Sequence, residues 1–195
     1  MTSETTTAYD PLLRRIHWIT AVLFIAAMLI GFYCGLQQPG TSPRSELLEV
    51  HKSLGATLFF LAILRLMVRA ATTAPGEASS LGPSLSGRWV RFAARLNHWA
   101  LYFILFAMPI TGYLFSSAGG YSLKYFWSFS WPRLVAGNQA VARIGETSHD
   151  LLAWFVYAVV ALHIAATVWH VVVKKDETLS RMWPGARKLG PQNAR

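Results

Sequence analysis

Six histidines are the residues best suited to chemistry in this sequence, and all lie in or beside long apolar segments. A neutral imidazole is the commonest metal ligand in proteins, and ionisable groups are costly at membrane depth. His149 and His163 are 14 residues apart. On a helix they would lie within about 40° of each other on one face and about 21 Å apart along the axis. This spacing suits ligands of two metal groups stacked across one bilayer.

Two further histidines supply a second ligand at each depth. His17 begins the first apolar segment, and an antiparallel chain path brings it level with His163. His51 begins the second segment, level with His149. Pairs of imidazoles inside a helical bundle are typical of haem ligation. We therefore expect two haem groups, with iron bound by His17 and His163 toward one face and by His51 and His149 toward the other.

The remaining two histidines have more than one interpretation. His170 lies one heptad beyond His163, about 20° away on the same helix face. It either replaces His163 as an iron ligand or lies near the haem edge, where it would exchange a proton with a quinone. His98 begins the third apolar segment, where it either assists that quinone site or lies in the interfacial layer.

Four apolar segments have the length of about 20 residues that a membrane-spanning helix needs. They cover about residues 16–36, 50–68, 92–115 and 151–173. The sequence therefore predicts an all-α transmembrane four-helix bundle that forms a single membrane domain over residues 1–195. Residues 1–9 and 186–195 are expected to be flexible tails.

The composition agrees with a membrane protein, since 53% of residues are hydrophobic and only 14% are charged. The net charge of +9 would suggest nucleic acid in a soluble protein, but here the basic residues flank the apolar segments. Thirteen of the 18 Lys and Arg residues fall on the side of the two termini and five on the other. Basic residues mark the cytoplasmic side, so both termini are expected there, and no nucleic-acid partner is expected.

Three basic residues are candidate partners for haem propionates. Arg15 and Arg91 lie toward the cytoplasmic face and Lys52 toward the outer face. Arginine and lysine pair strongly with carboxylates. The bias of basic residues toward the cytoplasm and ordinary solvation in loops explain the same residues without haem.

Several short motifs resemble the bacterial cytochrome b561 family, over roughly residues 9–184. They are Arg15-Ile16-His17-Trp18, His51-Lys52-Ser53-Leu54-Gly55, Asn97-His98-Trp99, Met108-Pro109-Ile110-Thr111-Gly112, Ser148-His149-Asp150 and the segment from Lys175 to Met182. The resemblance implies a four-helix protein of the bacterial inner membrane with two haem b groups. It places the ligands on the first, second and fourth helices, and it implies electron exchange with ubiquinone.

One branch of that family oxidises periplasmic superoxide and passes the electron to the quinone, with a histidine that matches His170 near the quinone. A related group serves as the cytochrome subunit of hydrogenases and dehydrogenases. The leading hypothesis is a diheme b-type cytochrome that carries electrons across or within the inner membrane, to or from ubiquinone. The alternatives are a superoxide:ubiquinone oxidoreductase, a cytochrome b anchor subunit and a haem-free transporter. The expected partners are membrane lipid, quinone, and superoxide or a periplasmic redox protein.

Overall fold

The chain folds into a bundle of four long helices. The structure, a computed structural model, describes residues 8–72, 85–176 and 178–184. Its helices are α1 (Pro11–Leu36), α2 (Ser42–Ala71), α3 (Leu85–Ala118) and α4 (Gln139–Trp169). All four are long and apolar enough to cross a membrane, which confirms the predicted all-α bundle of spanning helices. The expected tails, at residues 1–9 and 186–195, lie outside the described residues apart from residues 8 and 9.

The helices are longer than the apolar segments, and capping residues define where α1 and α4 begin. The Asp10 carboxylate accepts hydrogen bonds from the backbone N–H of Leu12 at 2.8 Å and of Leu13 at 3.3 Å. Pro11 occupies the first helical position, where its missing N–H costs nothing. Asn138 caps α4 in the same way through the N–H of Val141. A capping side chain thus fixes the first turn of α1 and of α4.

The helices pack in chain order, α1 on α2, α2 on α3, and α3 on α4. α3 and α4 approach each other closely at Gly145, where a Cβ atom would lie 2.6 Å from the backbone nitrogen of Phe115. Among the described helices, α4 packs its backbone closely only against α3. Side chains of α1, among them Phe24 and Met28, reach across to α4.

The outer faces of the bundle carry large apolar side chains. Val22 is 64% exposed, Leu162 59% and Trp154 72%. Such an extended apolar surface is unfavourable in water and matches the hydrocarbon of a bilayer. The bundle therefore has an apolar exterior as well as an apolar core.

One end of the bundle, called here the hairpin end, is covered by the segment that joins α3 to α4. Its strands, β1 (Lys124–Tyr125) and β2 (Phe129–Ser130), pair antiparallel across a turn in which Phe126 and Trp127 have positive φ. The hairpin is attached to α2 by two hydrogen bonds. The Phe126 N–H donates to Ser53 Oγ at 2.8 Å, and the Tyr125 hydroxyl lies 3.1 Å from Thr57 Oγ1.

The opposite end, called here the termini end, contains the start of α1 and the end of α4. After α4 the chain forms a π-helical turn, His170–Lys174, and a short 3-10 turn, Ser180–Met182. The chain then returns to α1. Arg14 Nη1 donates to the Trp183 carbonyl at 2.7 Å, and Trp18 Nε1 donates to the Met182 carbonyl at 2.8 Å.

Candidate functional site

At the hairpin end, His51 of α2 faces His149 of α4. Their ring centroids are 6.1 Å apart and their planes are inclined by 86°. A histidine nitrogen binds a first-row metal at about 2.0 Å, and it lies about 1.1 Å from its own ring centroid. Two imidazoles on opposite sides of one metal therefore have centroids about 6.2 Å apart. The separation of His51 and His149 fits a pair of axial ligands.

Hydrogen bonds orient both of these rings. His51 Nδ1 lies 2.9 Å from the carbonyl oxygen of Ala27. His149 Nδ1 lies 3.2 Å from the carbonyl oxygen of Met108 and 3.1 Å from Thr111 Oγ1. A carbonyl oxygen can only accept, so each Nδ1 carries the proton and each Nε2 keeps its lone pair. This is the tautomer in which a histidine binds a metal through Nε2.

Two glycines make room for the same rings. A Cβ atom on Gly31 would lie 2.8 Å from His51 Cε1, and one on Gly112 would lie 3.1 Å from His149 Cε1. Gly31 is four residues after Ala27, and Gly112 is four residues after Met108. In both helices, a carbonyl and a glycine one turn later form a seat for an imidazole. The sequence analysis missed this seat, whose sequence signal is a glycine inside an apolar span.

At the termini end, His17 of α1 faces His163 of α4. Their ring centroids are 6.5 Å apart with an interplanar angle of 66°, again close to the separation expected for two ligands of one metal. Asn97 of α3 lies beside this pair, with its Nδ2 atom 3.4 Å from His163 Nδ1. His98 brings a third ring to the cluster, with its centroid 5.7 Å from that of His163.

His170 lies apart from this pair and has a different partner. Its Nδ1 atom is 2.5 Å from Asp176 Oδ2, and its ring packs edge-on against Trp169. Lys175 adopts a left-handed conformation, with a φ of 53°, which turns the chain so that Asp176 returns to His170. Burial raises the pKa of Asp176, but hydrogen bonds from Thr178 and His170 outweigh it and hold the pKa below its ordinary value. The Asp176 carboxylate is therefore ionised and accepts the Nδ1 proton of His170.

The three basic residues considered as propionate partners lie in different surroundings. Lys52 Nζ donates to the Ser122 carbonyl at 2.8 Å and lies 3.7 Å from Glu49 Oε1, at the hairpin end. Arg15 is exposed at the start of α1, and Arg91 is half-buried near the start of α3. The structure thus gives Lys52 two protein partners and leaves Arg15 at the surface.

Arg65 is a basic residue of the termini end to which the sequence analysis gave no role at the site. It lies in α2 and interacts electrostatically with both His17 and His163. Its Nε donates to the Tyr102 hydroxyl at 3.2 Å, which fixes the guanidinium against α3. A fixed positive charge beside the termini-end pair is suited to binding an anionic group there.

An apolar layer separates the two histidine pairs. Val156 is seven residues from both His149 and His163, so it lies midway between them along α4. Val156 is 2% exposed and packs in one cluster with Ile104 and two other valines of α4. Phe24 and Met28 of α1 pack against this cluster from the opposite side. The layer keeps water away from the space between the pairs.

Four apolar spanning helices with two facing pairs of imidazoles are the features of a b-type membrane cytochrome. Comparison with known proteins agrees with this class. A model of the prokaryotic cytochrome b561 family matches residues 8–185. The chain therefore belongs to the prokaryotic cytochrome b561 family, whose members are multi-pass bacterial membrane proteins that bind haem b and transport electrons.

Three relatives span nearly the whole chain. Cytochrome b561 homolog 2 of Escherichia coli is 31% identical and covers 92% of this chain and 93% of its own length. Probable superoxide oxidase CybB of Yersinia pestis is 29% identical and covers 92% of this chain and 97% of its own length. Cytochrome b561 homolog 1 of Escherichia coli is 28% identical and covers 87% of this chain and 93% of its own length. The predicted resemblance to this family is confirmed.

Proposed function

We propose that the chain binds two haem b groups and exchanges electrons between them and ubiquinone in the bacterial inner membrane. His51 and His149 bind one haem, and His17 and His163 bind the other. The observation that carries this proposal is that both pairs have nearly the same centroid separation, 6.1 Å and 6.5 Å, at opposite ends of the bundle. The family of the chain supports haem b as the bound group.

Haem, when bound, supplies one-electron redox chemistry. The protein positions it and controls what reaches it. With a histidine pair holding each haem, both irons would be saturated by protein ligands and would offer no site to oxygen or substrate. Val156 and its apolar neighbours exclude water between the pairs and hold them about 21 Å apart along α4. Electrons therefore enter and leave at the edges of the two groups.

We place the quinone site beside His170 at the termini end. Asp176 holds the Nδ1 proton of His170 at 2.5 Å, so His170 Nε2 keeps a lone pair that can accept a proton from a quinol. After accepting it, the same nitrogen can return that proton to a reduced quinone. His98 is the second candidate for this site, although its Nδ1 is bound to the Ala94 carbonyl of its own helix.

The orientation follows from charge. The side with more lysine and arginine is the cytoplasmic one. We therefore place both termini in the cytoplasm and the hairpin end toward the periplasm. In this orientation the quinone site faces the cytoplasm.

Superoxide is the second candidate donor, because a full-length relative is described as a probable superoxide oxidase. The hairpin end offers positive charge to an anion. Arg133 donates to four carbonyl oxygens, those of Ser116, Ser117, Gly120 and Tyr121. Its guanidinium is therefore a fixed charge near the hairpin. The test compares the rate of reaction with superoxide, and its dependence on salt, in the wild type and in the variant Arg133→Gln with Lys52→Gln. The same rate and the same salt dependence in both would exclude electrostatic capture at this end.

Haem binding is tested by absorption spectra and haem-to-protein ratios of the purified chain and four single His→Ala variants. The wild type is expected to show a dithionite-reduced b-type band and two haems per chain. His51→Ala or His149→Ala should remove one spectral component, and His17→Ala or His163→Ala should remove the other. A chain without a b-type band would favour a haem-free transporter. Two haems but no quinone reaction without a bound partner would favour an anchor subunit.

A further inference from the structure

Asn97 is placed to control the orientation of His163. Its Nδ2 atom lies 3.4 Å from His163 Nδ1, and its side chain comes from α3 while His163 belongs to α4. Its other amide atom, Oδ1, is buried and has no hydrogen-bond partner among the described residues. Within the described residues, the contact with His163 is thus the hydrogen bond that sets the amide orientation, and either amide atom can make it, according to which ring nitrogen of His163 carries the proton.

The two orientations have opposite consequences for metal binding. With Nδ2 facing the ring, the amide donates to His163 Nδ1, and the ring proton must then lie on Nε2. That tautomer cannot bind iron through Nε2. A half-turn exchanges the amide oxygen and nitrogen, which are nearly indistinguishable in shape. Oδ1 then accepts the Nδ1 proton, and Nε2 keeps its lone pair for iron.

Among the described residues near His163, Asn97 is the one that can fix Nδ1. The His98 ring is close to that of His163, but its own Nδ1 lies 2.6 Å from the Ala94 carbonyl. Thr167 donates its hydroxyl to the His163 backbone carbonyl and does not reach the ring. The His163 imidazole thus depends on an amide side chain.

We propose that Asn97 is the positioning residue of the haem at the termini end, through a hydrogen bond from His163 Nδ1 to Asn97 Oδ1. This rests on the proposed role of His163 as an axial ligand. A ligand that donates its other proton to a stronger acceptor becomes more basic and stabilises the oxidised metal. The acceptor strength at position 97 therefore sets the reduction potential of this haem.

The hairpin end provides the contrast. There both rings are held by backbone carbonyls, those of Ala27 and Met108, which no side-chain substitution removes. The two haems are therefore tuned by different means, one by the backbone and one by a replaceable side chain. A substitution at Asn97 should move one potential and leave the other unchanged.

The test is an optical redox titration of the full-length, haem-loaded protein that resolves the two haems. Asn97→Leu keeps the size but removes the acceptor, and it should raise the reduced-to-oxidised ratio of the termini-end haem about tenfold at a fixed potential. Asn97→Asp supplies a stronger acceptor and should lower that ratio by a similar factor. A tenfold change corresponds to about 59 mV for a one-electron couple. The titration of the hairpin-end haem should not move.

The matched control is Thr111→Val, which removes a hydroxyl from the environment of His149. It should shift only the hairpin-end haem, and by less, because the Met108 carbonyl remains 3.2 Å from His149 Nδ1. The haem-to-protein ratio is measured for every variant. If Asn97→Leu loses the termini-end haem, the Asn97→Asp titration decides the direction of the shift.

Two haems retained with unmoved potentials in both Asn97 variants would overturn the proposal. Equal shifts of both haems would overturn it as well, because the effect would not be local to His163. Failure of the ligand assignment gives a different result: His163→Ala would then retain both haems. The two failures are thus distinguishable.

Discussion

Gly31→Ala is a sharp test of the hairpin-end site, because it adds one methyl group where the His51 ring is seated. The added carbon would lie 2.8 Å from His51 Cε1. Non-bonded carbon atoms prefer separations of about 3.5–4.0 Å. The ring must therefore retreat by about 0.7 Å. The hydrogen bond from His51 Nδ1 to the Ala27 carbonyl, 2.9 Å at present, then lengthens toward about 3.6 Å, where it is lost.

The expected cost is that of overpacking a filled site, about 1–3 kcal/mol. A tenfold change in affinity corresponds to about 1.4 kcal/mol, so haem affinity at the hairpin end should fall roughly 5- to 150-fold. The helix itself gains, because alanine is about 0.5–1 kcal/mol better than glycine in a helix interior. Without haem the His51 ring can turn away from the added methyl group, so the overpacking cost falls on haem binding. Resistance to unfolding of the haem-free chain should therefore be unchanged or higher, while one haem binds more weakly.

The assay is haem titration of the haem-free protein, with the two spectral components followed separately. Gly112→Ala should act more mildly on the same haem, because its Cβ would lie 3.1 Å from His149 Cε1. Gly35→Ala is the matched control on α1, because a Cβ at this position meets nothing within 4 Å. Normal affinity at both haems in Gly31→Ala would refute the placement of His51 as a ligand.

Two further predictions concern the ends of the bundle. The folded-state pKa of Asp176 lies below its ordinary 3.8, so its ionised form stabilises the turn after α4 above that pH, and this contribution is lost as pH falls through the lower folded pKa. Acid titration of tryptophan fluorescence should show this loosening, and Asp176→Asn should abolish that step; an identical acid curve in the variant would contradict it. Ser53→Ala removes the acceptor of the Phe126 N–H, a partly buried hydrogen bond worth about 0.5–1.5 kcal/mol, so amide exchange over residues 124–130 should accelerate. Ser128→Ala, at an exposed hydroxyl, is the control, and equal exchange in both variants would exclude an anchoring role for Ser53.

The sequence predicted the four spans because long apolar runs have a simple physical cause, the thickness of the bilayer. It also placed His17 near His163 and His51 near His149, because antiparallel helices of similar length bring matching depths together. The hairpin was not predicted. Its turn residues, Phe126 and Trp127, are bulky residues at positive φ, and such turns normally carry glycine or asparagine.

The seats of the imidazoles were also beyond the sequence analysis. Ala27 and Gly31 contact His51 only at one rotation of α1 about its axis relative to α2. The apolar pattern of the sequence does not predict that rotation accurately enough to say which side chains meet. Asn97 lies in one of the family-like motifs, but its role is not predictable from sequence, since an amide next to a histidine gives no sign of which ring it contacts. It lies one position before His98, yet it contacts His163 of another helix.

The return of the chain from α4 to α1 has a consequence for biosynthesis. Arg14 and Trp18, near the beginning of the chain, donate to the carbonyls of Trp183 and Met182, near its end. These contacts exist only after the chain as far as residue 183 has left the ribosome. The seats of His51 and His149 are complete as soon as α4 has entered the membrane. The end that carries His17 is therefore the last part of the molecule to close, and it stays open to an incoming cofactor for longest.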